Sequence, residues 1–228
     1  VILCGGKGTR LAEETKVKPK PMVKIGNLPI IVHIMEIFKK QGFDDFILAL
    51  GYKGELIKKY FKNKNYKVKL VNTGKETLTG GRLLRLKKIL KNEKFFLTYG
   101  DGVADIDLKK LLKFHNKHKK KATVTAVRPP ARFGEIYIRN SKVNKFQEKP
   151  QTSSGWINGG FFIFEKEIFN YLKNSKTILE REPLEMLCKK GELMAFKSLK
   201  FWQCMDTLRD KELLNKIWNS KEVPWKIN

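Results

Sequence analysis

VILCGGKGTRLAEETKVKPKP, residues 1–21, opens the chain and decides its fold. Val1–Cys4 is an apolar run too short for a membrane and right for a buried strand. Gly5-Gly6-Lys7-Gly8 follows at once. Glycines after a strand let the backbone approach a ligand closely, and their N–H groups can converge on phosphate oxygens. Thr9 adds a hydroxyl and Arg10 a forked cation suited to phosphate. Ten residues on, Lys20 stands between Pro19 and Pro21, which stiffen the backbone around its ammonium. Strand, glycine loop, arginine and rigid lysine together read as a triphosphate cradle.

Two better-known phosphate loops are excluded. A dinucleotide fingerprint needs a third glycine after Gly6-Lys7-Gly8, where Leu11 stands, and a Walker A pattern is absent. Composition narrows the field further. With 228 residues the chain suits one domain, with a first part of about 1–120 and a second of about 121–228 that carries a closing helix. Val1 stands where an initiator Met would, so a few residues are expected to precede it. No apolar run has the length of a membrane helix and no signal-peptide pattern opens the chain; Cys4, Cys188 and Cys204 form no C-x-x-C. These features predict a cytoplasmic protein with no membrane partner. The net charge of +25 raises nucleic acid as a partner. The excess is mostly lysine, spread along the chain. Its densest run, Lys117–Lys121, has no interleaved aromatics for stacking bases. Solvated faces that attract anionic substrates are the better reading, and a basic nucleic-acid-binding protein is the rival from another class.

Strand and helix patterns alternate over the first half, which predicts an α/β fold with a largely parallel sheet. The expected strands are Val1–Cys4, Asp45–Leu50, Tyr66–Asn72 and Phe95–Tyr99, with helical patterns after Pro29, around Ile57 and over Gly80–Leu90. The second half is richer in strands: Ala122–Arg128, a hairpin of Gly134–Arg139 with Lys142–Phe146, Ile157–Phe164, and an extended Phe196–Met205. Thr207–Trp218 reads as a closing helix.

Several groups carry chemistry. Asp101 ends a strand between two glycines, where open α/β sheets bind ligands; it reads as a metal ligand or a plain turn residue. Asp206 ends the extended stretch before the last helix, as a second ligand or as that helix's N-cap. Two carboxylates with phosphate oxygens and water are how Mg²⁺ is usually held. Glu148-Lys149-Pro150 is a site element or a surface pair. Asn158-Gly159-Gly160 offers an amide and open backbone, or marks a bulge. Arg132-Phe133-Gly134 and Trp156 line a sugar pocket or simply pack. Thr77-Leu78-Thr79-Gly80-Gly81-Arg82 opens a helix as an anion or base contact. The donor-only guanidinium of Arg82 suits the acceptor edge of a base.

Taken in order, GGKGTR, KPKP, TLTGGR, YGDG, RFG, FQEKP, INGGFF and WQCMDTLRDK resemble the sugar-phosphate nucleotidyltransferases over nearly the whole chain, and TGGRL, QEKP, MDTLRD and Val223-Pro224-Trp225-Lys226 are similar to their cytidylyltransferase branch. The resemblance implies a Rossmann-like three-layer α/β/α fold with a mixed, mostly parallel central sheet and a small β-rich sugar-binding part. It implies transfer from CTP to α-D-glucose 1-phosphate with Mg²⁺, giving CDP-glucose and pyrophosphate for O-antigen-type polysaccharide synthesis, in a homo-oligomer. The same chemistry on UTP or dTTP is the nearest alternative. Arg10, Lys20, Asp101 and Asp206 are implied as catalytic, the two aspartates as metal ligands. Leu3, Cys4, Gly5, Gly6, Lys7, Gly8, Thr9, Arg10, Lys20, Thr77, Arg82 and Gly100 are implied around the nucleotide. Arg132, Gly134, Glu148, Lys149, Asn158 and Gly159 are implied around the sugar phosphate. The chain departs from the family at Cys4 (usually Ala), at Cys204 (usually Pro, so a less rigid loop is expected) and between Tyr60 and Val71, where a long polar excursion is usual.

Overall fold

The opening strand, Ile2–Cys4 (β1), is buried throughout, as an uninterrupted apolar run in a parallel sheet covered on both faces must be. The computed structural model describes residues 1–90, 94–129, 135–147 and 155–226. After β1 come Ala12–Thr15 (α1) and a minimal hairpin of Lys24–Ile25 (β2) and Leu28–Pro29 (β3). Pro29 then stands at the N-cap of Ile30–Lys39 (α2). Phe46–Leu50 (β4), Gly54–Phe61 (α3) and Val68–Asn72 (β5) follow, with only residues 62–67 joining the last two.

The amphipathic stretch expected over Gly80–Leu90 is two helices, Thr79–Arg85 (α4) and Lys87–Leu90 (α5). The chain turns at Leu86, whose N–H donates back to Leu83 O at 2.9 Å. Leu83, Leu86 and Leu90 are all buried, as their spacing predicts. Phe95–Tyr99 (β6), Gly102–Ala104 (β7), Leu108–His118 (α6) and Ala122–Val127 (β8) come next. The expected hairpin is Glu135–Arg139 (β9) with Lys142–Gln147 (β10). Ile157–Phe164 (β11), Glu182–Lys189 (α7), Leu193–Ser198 (β12), Trp202–Cys204 (β13) and Leu208–Trp218 (α8) complete the chain.

Seven strands form the main sheet in the order β12-β8-β11-β6-β1-β4-β5. β11 runs against both of its neighbours, and every other pair is parallel. Side chains alternate into two cores. Ile2 and Cys4 of β1, with Phe46, Leu48 and Leu50 of β4, join α2 and α6 on one face. Leu3 and Ala49 join α4, α5 and α7 on the other. This is the expected three-layer, mixed and mostly parallel arrangement, and strands from both halves of the chain share the one sheet.

One correction shapes the site. The stretch Phe196–Met205 is not a single extended segment. β12 edges the main sheet, and after the turn at Leu199–Phe201, β13 leaves it to pair antiparallel with β7. Cys204 lies opposite Gly102, and Met205 N–H donates to Asp101 O at 2.8 Å. That pairing carries the two widely separated aspartates to one place. It also fixes Cys204 in a strand rather than in a loosened loop.

Candidate active site

From β1 the chain builds outward through β4 and β5 on one side, then crosses to β6 on the other. The crevice at the carboxyl ends of β1 and β6 is therefore a topological switch point, the standard ligand position in open α/β sheets. A cavity of about 580 Å³ opens there. Leu3, Cys4, Gly5, Gly6, Gly8, Thr9, Arg10, Lys20, Thr77, Arg82, Gly100, Asp101, Asn158 and Asp206 line it, so most of the residues marked in the sequence meet in one pocket. Lys7 and Gly159 are not among its lining residues. Lys7 pairs with Glu76 at 3.1 Å on the surface. Gly159 packs against β8 and its carbonyl accepts from Trp202 Nε1 at 2.7 Å. Arg132, Gly134, Glu148 and Lys149 lie outside the described residues.

At the centre, Lys20 Nζ is 2.8 Å from Asp101 Oδ2 and 2.5 Å from Asp206 Oδ1. Arg10 Nη1 is 2.6 Å from Asp206 Oδ2. The Lys20 side chain is 10 % exposed and that of Arg10 71 %, so the lysine is fixed inside the site while the arginine reaches in from its rim. Burial works against the lysine's charge, but the Asp101 and Asp206 carboxylates outweigh it and hold its pKa above the usual value. Asp101 and Asp206 converge on one point with hard oxygen donors. Mg²⁺ is ordinarily held by one or two carboxylates, with phosphate oxygens and water completing its shell. The pair fits that donor set, and no third His, Cys, Asp or Glu joins it among the described residues. Burial, with Asp206 and Asp101 nearby, pushes the Cys204 thiol up to about 12, which disfavours it as a nucleophile.

Asp206 is not the N-cap of α8. Thr207 is, in a capping box with Asp210. Asp210 Oδ2 accepts from the backbone N–H of Thr207 at 2.8 Å and of Asp206 at 3.0 Å. Asp210 thus fixes the backbone that carries Asp206, a role the T-x-x-D spacing signals. Asp210→Ala is expected to cost about 1–2 kcal/mol of stability and to lower kcat, read from a melting curve and turnover at saturating substrates. Unchanged kcat would leave Asp210 a cap and nothing more.

Arg82 lines the same pocket but its terminal nitrogens face the fold. Nη1 donates to Leu50 O, Thr73 Oγ1 and Gly74 O, and Nη2 to Gly5 O at 2.7 Å. The expectation that this guanidinium is free to read a base edge does not fit that arrangement. Gly81 has a packing role of its own. A Cβ on Gly81 would lie 2.3 Å from Ser175 O, so the glycine is needed for α4 to touch the neighbouring backbone. Sequence reasoning also missed Glu180, which lies on a segment without periodicity. Its carboxylate accepts from Tyr99 OH at 2.5 Å and Thr79 Oγ1 at 2.6 Å, and it joins Asn158 through Tyr99 in the lining of the same pocket.

Residues 1–207 match the family model described as Nucleotidyl transferase. The glucose-1-phosphate cytidylyltransferase of Salmonella typhimurium is 47 % identical over 251 aligned positions, covering 99 % of this chain and 98 % of that protein. The Salmonella typhi protein of the same name matches with the same identity and coverage. Since 251 positions exceed the 228 residues here, at least 23 positions are filled by the relative alone; the departure expected from the sequence lies between Tyr60 and Val71. Among solved structures, HddC from Yersinia pseudotuberculosis superposes with a TM-score of 0.76 at 28 % identity, covering 96 % of this chain and 98 % of that one. No helix among the described residues is long and apolar enough to cross a membrane.

Proposed function

Because this chain belongs to the nucleotidyl transferase family, we propose that it transfers a cytidylyl group from CTP to α-D-glucose 1-phosphate, giving CDP-glucose and pyrophosphate. The observation that carries the reading is Lys20 held between Asp101 and Asp206, beside the glycine loop at the switch point of the sheet.

No side-chain nucleophile is needed. The sugar phosphate is largely ionised near neutrality, so one of its oxygens can attack the α-phosphorus of CTP in line as pyrophosphate leaves. Catalysis is then positioning and charge neutralisation. The glycine loop presents backbone to the triphosphate; Gly6 is exposed with open space around its α-carbon. Arg10, exposed at the rim, steadies the departing pyrophosphate. Lys20 faces the phosphate that changes partners. Mg²⁺ on Asp101 and Asp206 would neutralise phosphate oxygens and so favour the attack. Asn158 and Glu180 face the sugar hydroxyls, and CDP-glucose would feed surface polysaccharide synthesis.

The test is pyrophosphate release measured across CTP, UTP, GTP, ATP and dTTP with a panel of hexose 1-phosphates. Release is expected with CTP and glucose 1-phosphate well above every other pair. A stronger signal with another nucleotide would move the assignment within the family, and no release with any pair would end it.

A further inference from the structure

A divalent cation and Lys20 cannot hold the same carboxylate oxygens together. Lys20 Nζ at 2.8 Å from Asp101 Oδ2 and 2.5 Å from Asp206 Oδ1 stands where a bridging ion would stand. Arg10 occupies the other Asp206 oxygen at 2.6 Å. Two carboxylates and two cations sum to zero, so this constellation offers an incoming divalent ion little net attraction. The lysine is not there by chance of a flexible stem. It begins the turn Lys20–Met22, with Pro19 before it and Pro21 after it, and the whole residue is buried. Its ammonium stays within the pocket that also receives the glycine loop, where a triphosphate would offer it a second anionic partner a short swing away.

We propose that Lys20 is the resident counter-ion of the metal pair: it holds Asp101 and Asp206 together without nucleotide, keeps the free protein's divalent-cation affinity low, and yields the carboxylates only when a triphosphate draws it off. The proposal rests on the reading of Asp101 and Asp206 as metal ligands in the proposed reaction. Its consequence is coupling between nucleotide and metal, each raising the other's affinity by the same factor. The order of events would then be built into one side chain. An ion that found the carboxylates before the nucleotide would have to evict a lysine with no other partner.

The experiment titrates nucleotide-free protein with Mn²⁺ and follows the free ion by electron paramagnetic resonance. Lys20→Met is expected to bind Mn²⁺ about tenfold tighter than wild type or better, within the usual range of such couplings. Lys20→Arg, which keeps the charge, stays near wild type. Melting temperature gives a second readout: Mn²⁺ raises that of Lys20→Met more than that of wild type, because the ion stabilises only the state that binds it. Lys20→Gln stands in if the methionine variant does not fold. Adding Asp206→Asn to Lys20→Met is expected to remove the gain. Equal or weaker Mn²⁺ binding by Lys20→Met and Lys20→Gln overturns the proposal. So does tight binding by Lys20→Arg, or a gain that survives Asp206→Asn. The reaction itself is judged separately by pyrophosphate release: loss of the Lys20 effect with release intact sinks only the exchange, and the reverse sinks only the reaction.

Discussion

Asp206→Asn and Asp101→Asn, each made alone, are expected to lower turnover roughly a hundredfold or more, because each removes half of a charge clamp worth several kcal/mol in the transition state. The change is close to isosteric, so geometry survives. In Asp206→Asn, Lys20 keeps Asp101 at 2.8 Å, and in Asp101→Asn it keeps Asp206 at 2.5 Å. The buried ammonium is never left without a carboxylate, and melting temperatures should stay near wild type. Asp206 is the more enclosed of the two, with its side chain 13 % exposed against 28 % for Asp101, and it alone pairs with Arg10. Its loss should therefore also raise KM for CTP, since Arg10 then swings free at the rim, whereas Asp101→Asn acts mainly on kcat. Pyrophosphate release at saturating Mg²⁺ checks both. Near-normal turnover by either variant would remove that residue from the reaction.

How the two aspartates meet shows what a linear reading could and could not reach. Asp101 was legible because a buried apolar strand, Phe95–Tyr99, ends beside it, and strand ends in a parallel sheet gather at one edge. Asp206 was legible only as the end of something extended. Its true placement depends on β13 leaving the main sheet to pair with β7, and a three-residue strand carries too little periodicity to announce its partner. The glycines of the opening loop are read for their freedom near a ligand, and Gly6 has open space around it. At Gly81 the same residue type means something else, the contact of a helix with the Ser175 backbone. Local sequence cannot separate the two, because both need only the absence of a Cβ. Glu180 was invisible for the same reason: its importance comes from Tyr99 and Thr79, contributed by distant segments.

Arg82→Ala is expected to destabilise the protein by about 3–5 kcal/mol, since buried acceptors stripped of a charged donor are among the costlier losses a fold can suffer. Five acceptors converge on this one side chain: Leu50 O, Thr73 Oγ1, Gly74 O, Gly5 O and, at 3.4 Å, Lys75 O. They come from the ends of β1, β4 and β5, so the guanidinium ties three strand termini together beneath the glycine loop. Burial opposes its charge and lowers its pKa, yet an arginine stays protonated, and the ring of carbonyls supplies what water would. The fit is reciprocal. A Cβ on Gly5 would lie 2.0 Å from Arg82 Cζ, and one on Gly51 would lie 2.3 Å from Nη1. Truncation to alanine therefore leaves a hole lined by carbonyls that have lost their charged donor, Gly5 O and Leu50 O keeping only their bonds from Tyr52 N–H and Thr73. Lysine restores the charge but not the fork, so Arg82→Lys should recover little of the stability. The loss of kcat/KM should fall on CTP and UTP alike, because the whole loop is loosened rather than one base contact removed. Thermal melts of both variants, with kinetics on whichever folds at low temperature, decide the matter. A variant that melts like wild type and loses only its preference for CTP over UTP would overturn the supporting role and return Arg82 to reading the base.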